Sequence, residues 1–140
     1  MKRIIVTLMV GIAALALLVG CASTTYQKMS QDGGYSDFPL GAGKFRVIAR
    51  GNPMTSATQV RNIAFFRAAE ISQSVSKKAF YILSDQGKTS HDLTYENDSF
   101  GSSFYDSQRR EFQIVIEPTD NDDGINVQAT FDRYRDKLGK

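Results

Sequence analysis

Between Ile4 and Val19 the chain carries sixteen consecutive residues with no charge and one polar side chain, Thr7. That run falls short of the roughly 20 apolar residues that span a bilayer as a helix. Lys2 and Arg3 stand before it and Gly20 and Cys21 after it. A short basic start, an apolar core of this length and a small-residue exit make a signal peptide, which is removed and takes no part in the fold. Residues 1–20 are therefore expected to be cleaved between Gly20 and Cys21, and the 120 residues that remain suit one domain with a real core.

Leu18-Val19-Gly20-Cys21 has the form of a lipobox. Small residues before the cut fit a peptidase cleft, and a thiolate is the group that takes a lipid as a thioether. Cys21 is the only cysteine of the sequence, so no intramolecular disulfide competes for it. Each buried methylene adds about 0.8 kcal/mol, which makes two or three acyl chains a lasting anchor. No cofactor is expected beyond the covalent diacylglycerol and N-acyl lipid on Cys21. Ala22 and Ser23 follow, without the Asp that holds such proteins at the inner membrane of a Gram-negative envelope. The expected location is the inner leaflet of the outer membrane, facing the periplasm.

Processing also resets the charge. Of 17 basic and 15 acidic residues, Lys2 and Arg3 leave with the signal peptide, and the mature chain is neutral. That balance offers no electrostatic case for nucleic acid.

Residues 21–34 are polar and show no apolar period, so they read as a flexible tether; fully extended, fourteen residues would reach about 46–50 Å. Residues 35–140 read as one small α+β domain. Lys44–Arg50 alternates like a half-buried strand and stops at Gly51-Asn52-Pro53. Ser56 to Gln59 matches a capping box, with Ser56 or Thr55 as the cap. The helix that follows runs to about Ser76–Lys78, with Ala57, Val60, Ala64, Ala68, Ile71 and Val75 on one stripe. Phe65 and Phe66 fall on opposite flanks of that stripe and need a second cover. Ala79–Leu83 reads as a buried strand and Glu111–Glu117 as an alternating one, closed by Pro118. Ile125–Ala129 reads as a short extended segment or strand. Phe131, Tyr134 and Leu138 stand at helical spacing, which predicts a short C-terminal helix. Ser84–Arg110 reads as a long polar loop with strand fragments at Leu93–Tyr95 and Phe104-Tyr105. The expected architecture is one long helix on a sheet of three to five strands, mainly antiparallel apart from the strand–helix–strand unit.

The lipobox, Gly33-Gly34-Tyr35-Ser36, Phe45-Arg46-Val47, Gly51-Asn52 with Thr55-Ser56, Arg67-Ala68-Ala69-Glu70 and the strand Phe80–Leu83 together resemble a family of small uncharacterised proteobacterial lipoproteins. The resemblance covers most of the mature chain. Ser76-Lys77-Lys78 stand where the family tends to have Gly and an aromatic, and residues 84–110 are more charged than the family's low-complexity loop. The resemblance implies lipidation and a fold; the family has no established activity, so no catalytic residue is carried over.

Residue sets for catalysis are sparse. His91 is the only histidine, and no Gly-x-Ser-x-Gly elbow accompanies it. One histidine and no spare cysteine make a poor zinc set. Ser74 and Lys77 match Ser-x-x-Lys, with Lys88-Thr89-Ser90 as a faint partner, but that motif's serine opens a helix and Ser74 closes one. Asp120, Asp122, Asp123 and Gly124 suggest a calcium loop until Thr119 and Thr130 are found at the template's first and twelfth positions. The candidate binding residues are Arg67 and Glu70, one helical turn apart, and the loop aromatics Phe100, Phe104 and Tyr105. Arg67 either lies along the core edge with its head on Glu70 or a backbone carbonyl, or receives a carboxylate or phosphate. The aromatics either cover Phe65 and Phe66 or face a partner or glycan. Three function classes follow: a non-enzymatic envelope component that binds another envelope protein, a module for peptidoglycan, other glycan or lipid, and, last, an enzyme.

Overall fold

The computed structural model describes residues 22–98 and 101–140, with backbone alone for 90–98 and 101–107. The expected signal peptide with Gly20, Cys21 and Phe100 lie outside the described residues, as do the side chains of His91, Phe104 and Tyr105.

The fold is α+β, with five strands in one sheet: β1 (Gly34–Gly41), β2 (Lys44–Arg50), β3 (Ala79–Asp98), β4 (Gly101–Thr119) and β5 (Ile125–Asn126). Their order is β1-β2-β4-β3-β5, and every neighbouring pair is antiparallel. β2 and β3 run in the same direction, as expected for strands joined by a helix, but β4 is inserted between them. The expected parallel pairing therefore does not occur; the helix crosses over β4.

That helix, α1 (Ala57–Ser74), starts where the capping pattern places it: Ser56 Oγ accepts from the Gln59 amide at 3.0 Å. It ends where Ser76 takes a left-handed φ of 59° and the Lys77 amide returns to the Ser72 carbonyl. Val60, Ala64, Ala68 and Ile71 of the expected stripe are buried; Ala57 and Val75 are exposed at its ends. Small side chains let α1 sit close to Val47 and Ala49 of β2, Ile114 and Ile116 of β4 and Phe80 of β3, all buried in the same core. The buried face is wider than one stripe because a second helix, α2 (Val127–Tyr134), lies alongside. Asn126 caps it through the Ala129 amide, and a 3₁₀ turn at Asp136–Leu138 follows and buries Leu138.

The second cover for the two phenylalanines comes from both chain ends. Phe65 meets Phe112 and Tyr134, at 6.3 and 5.9 Å between ring centroids; Phe66 meets Phe131 at 5.1 Å and Tyr26 at 5.0 Å. Tyr26 belongs to the segment expected to be a free tether.

Residues 84–110 are not a loop. β3 and β4 pair without a break in the described backbone from Ser84↔Val115 out to Asp98↔Gly101. β2 leaves β4 at the pair Arg50↔Glu111 and β5 touches only Ala79 and Phe80 of β3, so the outer part is a two-stranded arm. Among the described residues no layer covers either face of the outer arm, so it needs no alternating apolar residues, and its polar composition hides the pairing. The fragments at Leu93–Tyr95 and Phe104-Tyr105 are parts of these two continuous strands.

Candidate functional site

The N-terminal segment is strapped to the domain by threonine hydroxyls. The Thr24 amide donates to Thr55 Oγ1 at 2.7 Å, Thr24 Oγ1 donates to the Asp32 carbonyl at 2.7 Å, and the Asn52 amide donates to Thr24 Oγ1 at 2.7 Å. Thr24 and Thr55 are both buried. Asn52 Nδ2 reaches the Ala22 carbonyl at 2.9 Å, so the chain is held from its first described residue. The strap then runs beside β1: the Tyr35 amide donates to the Gln27 carbonyl and the Met29 amide to the Tyr35 carbonyl, at 2.9 and 2.7 Å. Gly33 and Gly34 permit this crossing. Their φ values are 92° and 131°, and a Cβ would stand 2.3 Å from the Arg50 carbonyl oxygen at the first and 2.5 Å from that of Gln27 at the second. Residues 22–34 are thus part of the domain, and the reading of them as a flexible tether is corrected.

Arg67 and Glu70 do come together, and the strap joins them. Arg67 Nε donates to Asp37 Oδ1 at 2.8 Å and Nη1 to Glu70 Oε2 at 2.9 Å; the Tyr26 hydroxyl donates to the same Glu70 oxygen. The guanidinium lies 4.8 Å from the centre of the Tyr35 ring, and Tyr35 stacks on Tyr26. Burial works against the Arg67 charge, but the hydrogen bonds to Asp37 and Glu70 outweigh it and hold the guanidinium protonated well above its ordinary range. Burial, then the bond to Glu70, pushes the Tyr26 phenol far up as well, keeping it a donor. The cluster ties strap, β1 and α1 with two carboxylates to one guanidinium. Its anion-binding capacity is spent internally. A shallow cleft of about 410 Å³ borders it, lined by Lys28, Met29, Tyr35, Ser36, Asp37 and Arg67.

The register places Phe104 and Tyr105 on the arm, paired with Tyr95 and Thr94, beyond the last β4 residue that touches β2. Their backbone stands on a different part of the sheet from the Arg67 cluster, and Phe100 lies outside the described residues. The motif fragments are engaged separately: Ser74 Oγ donates to the Ile71 carbonyl while Lys77 Nζ pairs with Asp120 at 2.6 Å. Asp122 pairs with Lys78 and Asp123 accepts from Tyr81, so the three aspartates face three partners. The Lys77 and Lys78 hydrogen bonds hold the Asp120 and Asp122 carboxyls below the usual range.

Sequence reading missed Thr24, Tyr26, Asp37, Asn52 and Thr55. The one signal available was an isolated aromatic, Tyr26, in a polar segment that ends in Gly33-Gly34. No protein-family model, curated protein or solved structure matches the chain.

Proposed function

We propose that the chain is a lipid-anchored envelope protein, held through Cys21 at the inner leaflet of the outer membrane, whose β3–β4 arm binds another envelope protein. The observation that carries the reading is the arm. Beyond Arg110, whose carbonyl accepts from the Gly51 amide, neither strand has a second strand neighbour among the described residues, which leaves two rows of backbone donors and acceptors free there. A two-stranded hairpin is marginal alone, and an added strand or a binding surface completes it. Residues 89–108 contain Asp92, Glu96, Asp98 and Asp106 and no Lys or Arg, so a basic partner surface fits best. The resemblance to envelope lipoproteins and the signal-peptide pattern support the location.

A glycan or lipid module is the second reading. The cleft beside Tyr35 and Arg67 favours it, although the guanidinium there already serves two carboxylates.

A photoreactive amino acid placed in living cells at Thr94 or Ser103, on the arm, tests the first reading, with Arg133 on α2 as the control position. One envelope protein should be captured from both arm positions and not from Arg133. Capture of the same abundant porins and lipid from all three positions would contradict it.

A further inference from the structure

The strap leaves the anchor almost no slack. Ala22 is bound to Asn52, and Cys21 directly precedes it in the sequence, one peptide bond away. A lipid on Cys21 therefore brings the Asn52–Met54 loop down to the headgroup layer. Met54 is 61 % exposed at that point.

The arm then decides how the domain lies. β2 ends where the Gly51 amide meets the Arg110 carbonyl, and the arm continues from that same end of the sheet. It runs ten further residues of β4, from Glu111 to Gly101, about 33 Å. Strands standing upright on the anchor would drive that arm, whose sequence carries four acidic residues, into the bilayer, where charge is costly. The strands must instead lie along the bilayer, with the edge nearest the strap turned toward it. That edge is β1, and it carries Phe38 and Leu40, 50 % and 44 % exposed. Lys28 and Arg46 are exposed beside it, opposite in charge to lipid phosphates, while the opposing acids are Asp32 in the strap and Asp37 on β1, the latter paired with Arg67.

We infer that β1 and the Asn52–Met54 loop form a membrane-contact surface: Met54, Phe38 and Leu40 enter the interfacial layer of a phospholipid bilayer, and the arm runs parallel to it. This rests on lipid anchorage at Cys21 and names the surface through which the anchored domain touches lipid. It also confines the arm's partner to the membrane-proximal layer.

The sequence contains no tryptophan, so single reporters are unambiguous. The full chain, expressed in cells and purified from membranes in its processed form, would carry Phe38→Trp, Met54→Trp, Leu83→Trp or Ile125→Trp. Leu83 on β3 and Ile125 on β5 are exposed positions on the far side of the sheet. In vesicles of phosphatidylethanolamine and phosphatidylglycerol with brominated acyl chains, the reporters at 38 and 54 should be quenched at least about twofold more than those at 83 and 125. Equal quenching at all four positions would overturn the surface. So would a blue shift at 38 and 54 without bromine quenching in a protein that runs as a dimer, because a second copy would then cover the edge. Fatty-acid labelling of Cys21→Ala beside the wild type reports separately on anchorage: equal labelling would remove the anchor while leaving the quenching pattern to judge the surface.

Discussion

Thr55 sits one position before the helix cap and does a different task. Its hydroxyl accepts from the Thr24 amide and lies 2.8 Å from both Thr24 Oγ1 and Asn52 Oδ1, donating its one proton to either. Valine has nearly the same shape and no hydroxyl. Thr55→Val should leave the buried Thr24 amide without its acceptor and lower stability by about 1–3 kcal/mol in urea unfolding. A loss below about 0.5 kcal/mol would mean the strap does not contribute to the fold. Thr55 and Ser56 are both plausible caps by spacing, and only the long-range contact with Thr24 separates them. The same holds for Arg67 and Glu70: their proximity was readable from an i, i+3 spacing, whereas Asp37 and Tyr26 enter the cluster from elements that no local pattern connects to the helix.

At the scale of elements, periodicity was readable wherever one face is buried. α1, β2 and the inner end of β4 all touch the core, and their apolar residues recur at helical or strand spacing. Two elements were not readable for the opposite reason. The arm has no buried layer to impose alternation, and the strap is held by hydroxyls and backbone rather than by an apolar face. Phe65 and Phe66 did announce a missing cover, but not that the two chain ends would supply it. The alanines of α1 set how closely it approaches the sheet: Ala64, Ala68 and Ala69 are all fully buried. Ala68→Leu should force the helix away from the sheet and destabilise the domain by about 1–3 kcal/mol. A chemical denaturation midpoint equal to the wild type would show that the Ala68 position tolerates three more carbons, contrary to the packing described.

The strap, the Asn52–Met54 loop and the arm, on which the proposed function rests, meet at one end of the sheet. The strap begins there, β2 turns into the Asn52–Met54 loop there, and the arm emerges beside it. In the proposed arrangement the lipid fixes that end at the membrane, the β1 edge lies along the surface, and the arm reaches sideways toward a neighbour in the same layer. The anchor depends on Cys21. Cells fed an alkyne fatty acid should incorporate it into the wild-type protein and not into Cys21→Ala. Equal tagging of the two proteins, or no tagging of the wild type, would contradict the anchor and leave the quenching pattern alone to judge the membrane-contact surface.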